Sequence, residues 1–121
     1  MAALTHVLTI AAFALSITLR TPPLSFAGPV LALAAAALIY CQRNSAEPWI
    51  ASHREHALRT LAFGYVIWTL AAALEFINGA LVTATLYLQI AVAIWVFIRA
   101  AIALALAISH KPIANPHGWF V

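Results

Sequence analysis

Two histidines three residues apart, His53 and His56, sit in the most polar stretch of a largely apolar chain, Trp49–Thr60, WIASHREHALRT. Side chains three or four apart share one face of a helix, so both imidazoles could reach a single ligand. Imidazole nitrogens bind zinc and haem iron, so a metal, haem or quinone site is one chemistry open to this stretch. The spacing is not HExxH, and no Cys or carboxylate completes a known zinc pattern, so His53 and His56 are metal candidates without a finished ligand set. Interfacial histidines that meet lipid phosphate or a partner protein are the other use of the same residues. Ser52 and His56 are four apart, as are Glu55 and Arg59. Glu before Arg is the favourable order for a helical ion pair, worth about 0.3–0.5 kcal/mol when exposed.

Arg99 lies inside a long apolar run, where a charge near the middle of a bilayer costs about 2.5–3.5 kcal/mol on insertion scales. Its long stem allows the guanidinium to reach the headgroups. The alternatives are a bond inside a bundle, with Glu55 the carboxylate to consider, or the lining of a transport path. Glu75 falls at the opposite end of the neighbouring run, with Arg20 across the first loop as its possible partner. Nothing resembles a nucleophile with its base. GxSxG and phosphate-cradling glycine loops are absent, and with three acidic residues in all no enzyme activity is expected.

These residues need elements to carry them, and composition says which kind. Of 121 residues, 65% are hydrophobic and 7% charged, and the mean hydropathy is +1.00. Soluble domains carry about 25% charged residues, so lipid must be the solvent for much of this surface. An all-α, polytopic transmembrane bundle of four spans is expected, at about 3–19, 26–41, 50–77 and 80–108, with a tail over 109–121. The whole chain is one transmembrane domain. Thr21-Pro22-Pro23 ends the first span, and Asn78-Gly79 the third. Pro48 suits the first turn of a helix whose opening turns lie in the membrane interface before it crosses. Ala34–Ala37 is a small-residue patch of the kind that lets helix backbones approach closely in lipid. Trp95 and Arg99 lie within the fourth span, and Trp119 with Phe120 suits docking of the tail onto the interface or a neighbour.

The net charge of +3 does not point to nucleic acid, because most of the six basic residues stand at the ends of apolar runs. Arg43, Arg54, Arg59 and Lys111 cluster on one side, against Arg20 alone on the other. That asymmetry puts both termini on the cytoplasmic side. All five histidines then fall on the cytoplasmic side. A single Cys41 rules out an internal disulfide and a CxxC pair.

The series Tyr40…Arg43, Trp49-Ile50-Ala51-Ser52-His53, Leu58-Arg59-Thr60, Ile94-Trp95…Arg99 and Lys111-Pro112-Ile113 resembles a family of small bacterial inner-membrane proteins of unknown function. In that family a basic residue ends one span, W-x-x-S-H-F-x-x-Q-I-R-T-F opens the next, W-x-x-Y-R lies in a later one, and K-P-I closes it. The family is similar to magnetosome membrane proteins and, more remotely, to the inner-envelope component of chloroplast protein import. Arg54 stands here where the pattern has an aromatic after the His, His56 and Ala57 replace its polar-aliphatic stretch, and Leu61 replaces the aromatic after Arg-Thr. The resemblance implies a bundle of three or four spans without enzyme activity, and supplies no ligand.

Three functions are therefore open. The first is a non-enzymatic accessory or scaffold subunit that contacts lipid and packs on other membrane subunits or on itself, through Trp49, Ser52, His53, Glu55, Arg59, Trp95, Arg99 and Trp119. The second is a component of a transport or protein-translocation path. The third is a haem, metal or quinone binder. No cofactor is expected beyond lipid contacts.

Overall fold

The structure, a computed structural model, describes residues 2–21, 23–42, 47–116 and 118. Expectations resting on Arg43, His117 and Trp119 lie outside the described residues. The described chain is helical: α1 Ala2–Thr18, α2 Ala27–Cys41, α3 Pro48–Ile77 and α4 Val82–Ile108. Short 3₁₀ turns at Leu24–Phe26 and Gly79–Leu81 lead into α2 and α4.

Local chemistry explains the boundaries. Pro48 occupies the first turn of α3, where its missing N–H is one that a helix leaves unbonded anyway. The 30 residues of α3 continue without a break from the polar opening turns into the apolar run. Asn78 closes α3, and its side chain accepts the Ala80 N–H at 3.0 Å, which starts the next turn. At the end of α4, His110 N–H reaches the Ala107 carbonyl and Lys111 N–H reaches that of Leu106 at 2.9 Å, the paired bonds of a Schellman ending. That ending needs a left-handed residue, and His110 supplies it at φ 55°, a place where glycine is usual. Pro112 then prevents any return to helix.

Three segments are long and apolar enough to cross a membrane: Leu24–Cys41, Pro48–Ile77 and Gly79–Ile108. At 17 residues α1 is shorter, about 25 Å against a hydrocarbon core of ~30 Å. Helices α1 and α3 touch each other across the middle of the bundle, while α2 and α4 pack on either side without meeting.

The faces that turn inward are unusual for a soluble bundle. α1 buries Thr5, His6, Thr9, Ala12, Phe13 and Ser16 and leaves Leu4 and Val7 exposed. α4 buries Thr85, Gln89, Arg99 and a run of small residues, and exposes Ile90, Ile94, Ile98 and Ile102. Polar groups face protein and branched aliphatics face outward, the arrangement that hydrocarbon surroundings require. The hydroxyls of Thr5, Thr9 and Ser16 bond back to carbonyls of their own helix, so α1 carries polar side chains inward with those donors satisfied.

Small residues set how near the helices come. A Cβ at Gly28 would fall on Ser16 Oγ and 2.7 Å from the Ala12 carbonyl oxygen, so α2 reaches the backbone of α1 only because that atom is missing. Gly28→Ala should therefore lower the thermal midpoint in mild detergent, by a destabilisation of about 1–3 kcal/mol. Ala32→Gly on the same face, which removes a methyl without adding a clash, serves as the comparison. An unchanged midpoint for Gly28→Ala would show that the two helices are not this close.

Candidate functional site

The polar side chains gather at the two ends of the bundle. At one end, the first turns of α1 and α3 bring His6, His53 and His56 together, each at most 1% exposed. His53 Nε2 lies 2.7 Å from the Lys111 carbonyl oxygen. A carbonyl can only accept, so Nε2 carries the proton, and in the neutral ring Nδ1 is left with its lone pair. His6 Nε2 stands 2.9 Å from that Nδ1 and so donates to it. One directed series of bonds thus runs from α1 through α3 to the segment after α4.

The His56 ring packs edge-on to His6 at a centroid distance of 5.7 Å. Both its ring nitrogens are buried and have no hydrogen-bond partner among the described residues. That is costly for an imidazole away from water. Among the described residues, no three His, Cys, Asp or Glu are arranged to hold a metal ion. The pair His53 and His56 does not converge on one point as the helical spacing allowed: His53 is engaged by His6 and Lys111.

The segment after α4 closes over this end. Ile113 N–H donates to Ser52 Oγ at 3.1 Å, its side chain is 3% exposed, and the rings of Trp49 and His110 meet at 5.3 Å. Trp49 also stands edge-on to His53 and donates from Nε1 to Glu47. Arg54 reaches back to Gln42 and ties α3 to the end of α2. Glu55 and Arg59 form a half-exposed ion pair at 2.7 Å, as their order favours. Its exposure limits its contribution to a few tenths of a kcal/mol.

Arg99 does not reach out to the headgroups. It is 3% exposed, its Nε donates to Thr60 Oγ1 at 2.8 Å, and its guanidinium lies 5.5 Å from the Trp95 ring centre. Thr60 in turn donates to the His56 carbonyl, so one hydroxyl both receives the guanidinium and satisfies its own helix.

At the other end, Arg20 Nη2 donates to Gln89 Oε1 at 2.9 Å, and the Thr85 hydroxyl donates to Glu75, with the Leu81 and Val82 carbonyls also within reach of its one hydrogen. The possible pair of Arg20 with Glu75 is thus replaced by two bonds to neutral side chains. Both charged groups line one open groove of about 380 Å³. Near its inner wall, Tyr65 and Ser16 hydroxyls meet at 2.7 Å and both reach the Ala12 carbonyl. With one hydrogen each, they can donate two of those three contacts at a time.

A packed apolar layer separates the two ends. Phe13 and Val96 are 0% exposed, and Gly64 between them has no room for a Cβ, which would stand 2.5 Å from Phe13. Trp68 packs edge-on to Phe13 below them.

From sequence, His6 counted only as one of five histidines on one side and Thr60 only within the Arg59-Thr60 pair of the resemblance, and Gln89 was not singled out, yet each holds one end of a bond between elements. For His6 a signal was present. Thr5, Thr9 and Ser16 recur at helical spacing around the same face, marking it as the one turned to protein. For Thr60 the resemblance marked the position without a role, and for Gln89 nothing local distinguishes it from other polar residues in apolar runs.

No family model, curated protein or solved structure matches the chain. The functional reading therefore rests on the geometry.

His6→Leu makes α1 more apolar but leaves His53 Nδ1 buried without its donor. It should lower stability by about 1–3 kcal/mol in a detergent melt, while His6→Gln, which can still donate, should lose less. A His6→Leu protein as stable as the parent would mean that this bond is not made.

Proposed function

We propose that this chain is a small, non-enzymatic membrane subunit that acts by packing against other membrane proteins or a second copy of itself. The observation that carries the reading is the division of its polar groups between the two ends of the bundle, with the Phe13–Gly64–Val96 layer between them. His6, His53, Thr60, Gln89 and Arg99 are engaged within the bundle, and a path for ions or polymers would find no polar lining at that layer. What remains for recognition is the outer surface. α2 supports this use: it buries only Gly28, Ala32, Ala35 and Ile39 and leaves Ala34 and Ala37 on its outer side, beside Leu33 at 73% exposure. Small side chains between larger apolar ones let a further helix approach closely, and close packing is what drives association in lipid.

On this reading the protein resides in a bacterial inner membrane, with the histidine end and both termini towards the cytoplasm, where the positive-inside rule puts Arg54, Arg59 and Lys111. A second reading, a haem, metal or quinone binder, is favoured by one observation, the unpartnered nitrogens of His56. An absorbance spectrum and metal analysis of purified protein separate it from the first.

Crosslinking in native membranes, followed by purification in mild detergent, tests the subunit role. The chain should migrate in an assembly larger than itself, and Ala34→Leu with Ala37→Leu should disperse that assembly without lowering the thermal midpoint. A lone monomer before and after crosslinking would refute the role. The exposed thiol of Cys41 reports orientation in the same membranes. A membrane-impermeant maleimide should label it only once the cytoplasmic face is opened, and labelling from the periplasm would reverse the topology.

A further inference from the structure

We propose that the groove at the Arg20 end binds a phospholipid whose headgroup carries a primary amine, with the phosphate on Arg20 and the ammonium on Glu75. The groove holds about 380 Å³ and is bordered by Arg20, Ser25, Thr69, Glu75 and Gln89, with Phe26 and Trp68 forming apolar wall.

A guanidinium and a carboxylate that face one space in a poorly screened setting ordinarily pair. Here they do not. Arg20 is held by the amide of Gln89, which is 3% exposed, and Glu75 by the hydroxyl of Thr85, which is 4% exposed. Two buried neutral side chains therefore keep the opposite charges apart and fix each in place. Each bond leaves capacity over: a guanidinium has five N–H donors, and a carboxylate accepts at two oxygens.

A headgroup with a phosphodiester anion and an ammonium a few atoms apart satisfies both charges at once. A purely anionic headgroup would set its phosphate near the Glu75 carboxylate. A quaternary ammonium has no N–H to give that carboxylate. The primary amine is the chemistry that fits both residues.

The depth agrees. Arg20 follows the end of α1 and Glu75 lies in the last turn of α3, so the charged rim is at helix-end level. Trp68 is seven residues back along α3, about 10 Å deeper, where an acyl chain would lie against it and Phe26. The proposal needs the bundle to span a bilayer and is independent of the subunit role.

Native mass spectrometry of the full chain, released from vesicles holding equal phosphatidylethanolamine, phosphatidylcholine and phosphatidylglycerol with matched acyl chains, tests it. The ethanolamine lipid should be retained about tenfold over each of the others, the scale of one charge-assisted hydrogen bond. Glu75→Gln should bring the ethanolamine-to-choline ratio near one, and Arg20→Gln should reduce retention of all three lipids while Arg20→Lys restores it. Equal retention of the three lipids by the unmodified chain, or preference for the glycerol lipid, would overturn the proposal. So would wild-type selectivity in a folded Glu75→Gln protein. The ratio measured on the unmodified chain decides the matter even if a variant does not fold.

Discussion

A polar side chain in hydrocarbon has no water to turn to, so it must find its partner inside the protein. The bundle depends on that constraint. His6, His53, Thr60, Gln89 and Arg99 are all at most 3% exposed, and each is held by a partner on another helix, on the loop after α1 or on the returning chain. Such interhelical bonds average only about 0.6 kcal/mol in membrane proteins. Leaving one of these groups facing lipid costs several times more. The bonds therefore decide which face of each helix turns inward, while most of the cohesion comes from close contact between small residues, as at Gly28 and Gly64. α1 shows the division most plainly. Its own carbonyls satisfy the Thr5, Thr9 and Ser16 hydroxyls, and only one orientation also brings His6 to His53 and Ser16 to Tyr65.

The two polar ends differ in kind. The histidine end is sealed: the chain after α4 turns back through the left-handed His110, lays Ile113 against Ser52 and gives the Lys111 carbonyl to His53. The Arg20 end is open, with charges displayed at the mouth of a groove. Between them the Phe13–Gly64–Val96 layer leaves no polar continuity. The packing role proposed above builds on this division, with recognition left to the outer faces of the helices.

Much of this was legible in the residues, and the exceptions have a common physical cause. Apolar run lengths and the breakers Pro22-Pro23, Pro48 and Asn78-Gly79 mark out an all-helical chain, because hydropathy and turn chemistry are local properties. The Glu55–Arg59 pair was legible for the same reason. Direction around a helix was legible only for α1, through its stripe of Thr5, Thr9 and Ser16. Counting spans places His6 and His53 at one end of the bundle, but does not say that both point at its axis. Arg99 has a stem long enough to reach the surface, and only its depth beside Thr60 and Trp95 shows that it turns inward. Arg20 and Glu75 are opposite charges at one end, where the sequence left open a pair between them or a solvated helix-end carboxylate. The neutral partners that hold them come from α4, far away in sequence, where a lone Gln89 or Thr85 gives no hint of its use. The Lys111-Pro112-Ile113 segment reads as the end of a helix, but its return to Ser52 and His53 depends on the angle set by His110.

The directed bond from His6 to His53 is where this view of the fold is most exposed to test. In ¹⁵N-histidine-labelled protein reconstituted in lipid, a scalar coupling across the hydrogen bond should join His6 Nε2 to His53 Nδ1, with the His53 proton on Nε2. The coupling should vanish in His6→Gln. Two uncoupled imidazoles exchanging their protons with water would instead mean that the polar face of α1 looks out of the bundle, and the inward arrangement described here would be wrong.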